Sequence, residues 1–240
     1  MSGDNCCLST IERHASVRSY TGEEIAEEDL EAILGASQRA PTGWNLQPVT
    51  IVVVRRRDLL RQLADIVGGQ DHVASAAAFL VYTVDYAKVV EAARREGLQA
   101  DPGPANLYEA LIDAGIMAGW AMLAAESLGY GGVFVALYEN PCPIIDLLGL
   151  PRYTMPAVGL ALGRPAERPQ PRPRQRLSAL APRDGYGDVE SKAEALIEAY
   201  NGRARKLFSY IFGPDGYYRS ASERLLFCLE KQGLISRGQS

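Results

Sequence analysis

The sequence predicts an α+β layer architecture built around a mixed sheet, and three observations carry that expectation. Short β-branched runs alternate with helical apolar stripes through the first two thirds of the chain. The last third supplies helical patterns with no strand to follow them. No G-x-G-x-x-G follows the first strand, so the usual dinucleotide-binding wind lacks its fingerprint. At 240 residues and 47% hydrophobic content, the chain can bury one full core, alone or with appendages.

In chain order, Ser9 and Glu12 in "STIE" read as a capping box opening a short first helix. Leu30, Ile33 and Leu34 form a helical stripe, with Glu27, Glu28 and Asp29 at its positive N-terminal end. "VTIVVV" (49–54) suits a buried strand. "DLLRQLADIV" (58–67) is helical and stops at Gly68-Gly69. "FLVYTVD" (79–85) is a second strand. The segment 106–129 is apolar nearly all round, as a central buried helix is, and Gly115, Ala118 and Gly119 admit a second backbone. "GVFVALY" (132–138) and "AVGLALG" (157–163) complete the strands. Beyond them, 188–212 and 220–232 read as two surface helices divided by the turn "GPDG" (213–216). There is no internal repeat.

The net charge of −4 argues against a general nucleic-acid partner, so cations matter where they cluster. Four cysteines without a C-x-x-C spacing and only two histidines make a metal site improbable on composition. Cys6 and Cys7 read as free thiols of a reducing cytoplasm. No secretory pattern is expected, and the apolar stretch between Asp113 and Glu126 falls short of the roughly 20 residues that span a bilayer.

Three polar stretches stand out. "HASVRSY" (14–20) sets His14, Ser16 and Arg18 at alternate positions. "APTGWNLQPV" (40–49) is turn-rich, with Thr42, Asn45 and Gln47 as donors and acceptors and Trp44 expensive to leave in water. "RPAERPQPRPRQR" (164–176) interleaves proline and arginine, an extended segment in which Arg172 and Arg174 point the same way. Each has a plain alternative as solvated loop or charge run. Together they suit a phosphate at one end, where guanidinium forks match oxygens bidentately, and a hydrogen-bonding ring at the other.

The order of "ERHASVRSYTGEEI", "ASQRAPTGWNLQPVTIVVV" and "LADIVGGQDHVASAAAFLVYTVD" resembles the FMN-dependent nitroreductase family. "AMLAAESLGYGGVFV" and "DLLGLPRYTMPAVGLALGRPAERPQPRPR" are similar to its oxygen-insensitive NADPH nitroreductase and flavin reductase branch. The resemblance spans about residues 9–176, with an echo in "LEKQG" (229–233). It implies a three-layer fold with a central mixed, mainly antiparallel sheet flanked by helices, in an intertwined homodimer. Residues 1–187 would form the FMN-binding core, and 188–240 a helical extension packed on the dimer.

For the site, the resemblance implies that His14, Ala15, Ser16 and Arg18 support the phosphate, ribityl chain and pyrimidine edge of FMN. Pro41, Thr42, Gly43 and Asn45 would reach the flavin of the other subunit. Gln70 and His72 would face the pyrimidine edge, Phe134, Val135 and Ala136 would run along the ring, and Arg172 and Arg174 would clamp the phosphate. Arg18 is the candidate to stabilise charge on the reduced ring. No side-chain acid or base and no metal is assigned.

Departures from the family pattern are Ala15 in place of a frequent arginine, Thr42-Gly43 in a usually serine-rich loop, and Ala136-Leu137 in place of a glycine pair, which would narrow the space beside the ring. The implied activity is ping-pong hydride transfer from NADPH or NADH through FMN to nitroaromatic, quinone or flavin acceptors, in the cytoplasm. The alternatives are a non-catalytic flavin-binding or sensory protein of the same fold, and an adaptor recognised through its Arg/Pro run. Region 201–222, where this branch holds the adenosine phosphate, does not align; Arg203, Arg205 and Lys206 there read as a solvated helix face.

Overall fold

The computed structural model describes residues 6–214 and 216–236. It opens with helix α1 (Cys6–Glu12) and α2 (Glu27–Gln38), then strand β1 (Val49–Val54), α3 (Arg57–Ile66), α4 (Asp71–Ala74) and β2 (Ala78–Asp85). Helices α5 (Ala87–Arg95) and α6 (Pro104–Ser127) precede β3 (Gly131–Ala136), α7 (Pro141–Leu148) and β4 (Thr154–Gly163). The chain closes with α8 (Leu177–Leu180), α9 (Val189–Ala199), α10 (Ala204–Phe212) and α11 (Tyr217–Lys231).

The four strands form one sheet in the order β1-β2-β4-β3, and all three pairings are antiparallel. Strand alternation sorts the side chains of the sheet into two cores. Leu80, Tyr82, Leu160 and Leu162 pack with Ile33 of α2 and Ala118, Ala121 and Ala125 of α6. Phe79, Val81, Ala161 and Val135 pack on the opposite face with Leu60 and Leu63 of α3 and Ile144 of α7. The sheet is thus the middle of three layers. Its register shifts between Tyr82 and Thr83, where Pro156 of β4 lacks the amide hydrogen a regular ladder needs.

Every strand and the central helix stand where hydrophobic periodicity put them; the ends of the chain differ. Ser9 is not a cap but lies inside α1, where its hydroxyl donates to the Cys6 carbonyl. The expected helix 188–212 is two helices, α9 and α10, parted at Asn201 and Gly202, both with positive φ. The turn between α10 and α11 includes Asp215, outside the described residues. Helix α6 is longer than its most apolar stretch, and over its 24 residues it is long and apolar enough, by length and composition, to cross a membrane. Here its alanine-lined face is buried against the sheet and α2.

Cys6 and Cys7 are free and exposed. Cys142 of α7 and Cys228 of α11 form a disulfide with 5.6 Å between Cα atoms, a pairing their 86-residue separation gave no reason to expect. It fastens the C-terminal helix to the cluster of Val84, Tyr86, Ile145 and Met155.

The chain divides into two compact units: one formed by residues up to Pro169 together with the segment from Ala221, the other by Gln170–Ser220. Residue 187, the end of the expected FMN-binding core, lies within the second unit. The second unit is helical and has its own ties. Asp188 caps α9 by accepting from the Ser191 amide, and Arg176 donates to Glu198 and Ser191. The ring of Tyr200 meets Phe208 edge-on, and Phe208 meets Phe212, whose far side is exposed.

Candidate functional site

After α1 the chain turns and runs past the start of β3, where the Val17 amide donates to the Gly132 carbonyl at 2.9 Å. The approach is close because Gly131 has no side chain; a Cβ there would lie 2.7 Å from Val17 Cγ2. On either side of buried Val17, His14 and Ser16 are half-buried and Arg18 is exposed. Two carboxylates fix this stretch. His14 Nδ1 meets Glu126 Oε1 at 2.6 Å, and the amides of Arg18 and Ser19 both donate to Glu167 Oε1, at 2.6 and 3.1 Å. The Tyr20 hydroxyl donates toward the Val17 and Ala161 carbonyls, and burial holds its pKa well above the ordinary range.

The turn after α3 comes to the same place. Gly68 and Gly69 take positive φ, and Gln70 donates its side-chain amide to the Val67 carbonyl at 2.7 Å. His72 is half-buried on α4. Its pKa is lowered first by burial and then by the charge of Arg18, with Asp71 opposing. The Arg18 cation and the His72 ring are therefore electrostatic neighbours. Strand β3 is a sheet edge, so among the described residues one side of its backbone has no strand partner. Along it Phe134 is exposed, Val135 buried and Ala136 half-buried. Leu137 is wholly buried in the core of the α3/α7 face and does not narrow any space beside the strand.

The loop Pro41–Asn45 lies elsewhere. The Gly43 amide donates to the Asp113 carboxylate at 3.2 and 3.3 Å, and a Cβ on Gly43 would collide with the Glu109 side chain. Asp113 and Glu126 are both on α6, separated by roughly 20 Å of helix at ~1.5 Å per residue. Thr42 steadies the loop, its carbonyl accepting from the Asn45 amide and its hydroxyl from the Gln47 amide. Trp44, Asn45 and Gln47 all have positive φ, and Trp44 is 94% exposed.

Arg172 and Arg174 belong to the second unit. The run has no regular secondary structure there, and Arg174 donates back to the Arg172 and Pro173 carbonyls rather than standing parallel to its neighbour. With Tyr200, Arg203, Lys206 and Tyr210 these arginines line a cavity of about 680 Å³. Arg203 and Lys206 are exposed, as a solvated helix face would be, and they also line this open cationic hollow.

Within the first unit, then, the structure ties residues 14–18 to β3 through Val17 and Gly132, lets the Arg18 charge act on His72, and moors Pro41–Asn45 separately on α6 through Asp113. Sequence reasoning missed the carboxylates Glu126, Glu167 and Asp113. Asp113, buried in an apolar helix, carried a signal, because an unpaired buried acid is costly. Glu126 and Glu167 look like ordinary surface charges until the fold is known.

A four-stranded antiparallel sheet between two helical layers, with a polar segment bonded to its edge strand, defines the class of fold. The comparisons make the class specific. The model of the nitroreductase family matches residues 11–164. The chain is 34% identical over 242 residues to the NADPH-flavin oxidoreductase of Vibrio harveyi, covering 97% of this chain and 100% of that one. It is 34% identical over 201 residues to the FMN reductase [NAD(P)H] of Bacillus subtilis, covering 82% and 80%. The solved NADPH:FMN oxidoreductase of Vibrio harveyi complexed with NAD+ superposes with a TM-score of 0.84 at 30% identity, over 97% of this chain and 100% of that one. The chain belongs to the nitroreductase family.

Proposed function

We propose that this protein is a cytoplasmic, homodimeric flavoenzyme that binds FMN, takes reducing equivalents from NADPH or NADH and passes them to nitroaromatic, quinone or free flavin acceptors by a ping-pong mechanism. The observation that carries it is the convergence of His14, Ser16 and Arg18 on the edge of β3 beside His72. The donor set fits FMN: hydroxyl and guanidinium groups suit its phosphate, while amides and the edge of β3 beyond Gly132 suit a flat ring.

When bound, FMN supplies the ring that accepts and donates hydride. The chain's own residues bind and orient. Ser16 and Arg18 hold the phosphate and ribityl end, and Gln70, His72 and the backbone of Phe134–Ala136 meet the ring. The fixed charge of Arg18 favours the state with extra negative charge, most strongly where water is scarce. Arg203 and Lys206 receive the adenosine phosphate of NADPH, which favours it over NADH.

The dimer reading rests on what one chain leaves uncovered. Tyr108, Leu111, Ile112 and Trp120 are exposed on the outer side of α6, with Gly115 and Gly119 among them. Trp44 stands almost wholly in solvent nearby in the chain's loop to Asp113. A second subunit covering both would bring Pro41, Thr42, Gly43 and Asn45 to its partner's flavin.

The test is the absorption spectrum of the purified protein, followed by anaerobic mixing with each reduced nicotinamide. A yellow band that bleaches faster with NADPH is expected. A colourless protein that takes up no FMN in excess overturns the reading, and a band that persists with both nicotinamides replaces the enzyme with a flavin-binding protein.

A further inference from the structure

We infer that Glu126 is a positioning residue, fixing which nitrogen of His14 is offered to the ligand; the inference rests on the FMN reading above. The two residues come from distant parts of the chain and meet through rigid elements. Glu126 sits in the last turn of α6, whose neighbouring Ala121 and Ala125 are fully buried. His14 follows the turn in which its own amide donates to the Ile11 carbonyl, shortly before Val17 is pinned to Gly132. Their contact is short, 2.6 Å, and the Glu126 side chain is only 14% exposed, while that of His14 keeps 31%. The carboxylate is therefore committed to the imidazole, and the imidazole still has a face open to a ligand.

A carboxylate only accepts hydrogen bonds, so the nitrogen that meets it carries the proton. Glu126 thereby assigns the proton of the neutral ring to Nδ1 and leaves Nε2 with its lone pair, the arrangement by which a carboxylate fixes a histidine tautomer. A lone pair at Nε2 selects a donor on the ligand. On FMN the donors are the ribityl hydroxyls and the N–H of the pyrimidine ring, whereas the ionised phosphate offers acceptors. His14 is thus assigned to a ribityl or ring donor, and the phosphate falls to Ser16 and Arg18. Ala15 adds no polar group to that division.

The experiment combines a spectroscopic signature with an affinity cycle. The chain has 2 histidines, so the ring nitrogens of FMN-free protein at pH 8 can be assigned by NMR with a single His72→Asn comparison. His14 should show the Nδ1–H tautomer in the wild type and in Glu126→Gln, whose amide oxygen still accepts. In Glu126→Leu it should shift toward Nε2–H. FMN affinity, read by flavin fluorescence, should fall about 5–10-fold in Glu126→Leu, the worth of one oriented hydrogen bond, and stay within about twofold in Glu126→Gln. In a His14→Phe background, Glu126→Leu should add nothing.

Additive losses in that cycle, or an Nε2–H ring in the wild type, would overturn the positioning role while leaving the FMN reading intact. A wild type with the Nδ1–H ring that takes up no FMN would instead overturn the FMN reading and, with it, the ligand assigned to His14.

Discussion

Residues 14–20 and 40–48 are both polar, turn-rich connections, yet the fold treats them differently. The first is finished by its own chain: a backbone bond to β3, a carboxylate on His14 and another shared by the amides of Arg18 and Ser19. The second is moored to α6 through Gly43 and Asp113, then projects Trp44 into solvent from a backbone with three non-glycine residues at positive φ. Such conformations persist only where surroundings over-determine them. A segment satisfied within one chain is suited to hold a ligand by itself. A segment strained, anchored at its base and bare at its tip is suited to act on something outside the chain, which the proposed dimer supplies.

The largest effect should come from the completed segment. Arg18→Ala removes a charged donor, and FMN affinity should fall roughly 10–100-fold, the range for a hydrogen bond to a charged group. Isothermal titration measures it, and an unchanged affinity would take the cation out of the site. The exposed segment is tested by Trp44→Ala. Loss of an interfacial aromatic costs about 1 kcal/mol or more at each of its two copies in a symmetric dimer, so the dimer dissociation constant should rise on the order of 30-fold with the thermal stability of the monomer unchanged. Sedimentation that does not change would mean the loop tip covers nothing.

Much of the fold was legible because its signals are local. "VTIVVV" and "FLVYTVD" are strands by composition, and the alanine-rich run around Ala118 is a buried helix by periodicity. The order of strands was not local. That β4 inserts between β2 and β3 follows from packing helices on both faces, which no single segment encodes. The same division holds at the site. Gln70 is reached only through the family resemblance, whereas His14, Ser16 and Arg18 stand out by residue type and spacing. Their partners Glu126 and Glu167 do not, because a carboxylate becomes a clamp only when the fold carries it to an amide or an imidazole. The Cys142–Cys228 bond was hidden for the same reason: its geometry exists only once α7 and α11 are packed.

The smallest effect asks whether the completed segment is also coupled to its neighbour on α4. Burial and then the Arg18 charge hold His72 below its ordinary pKa of 6.5. The unfolded chain therefore binds more protons at this residue just below that pH, and the folded state loses stability as pH falls toward the depressed value. Urea unfolding should show a stability decline below pH 6.5 that is shallower in His72→Phe. Removing the nearby cation should move the His72 titration upward in Arg18→Ala, without restoring it fully, since burial is the larger cause. An NMR midpoint that stays where it was would mean the Arg18 charge is directed away from α4. The segment would then be finished by its carboxylates and β3 alone, and Gln70 and His72 would have to reach any ligand independently of it.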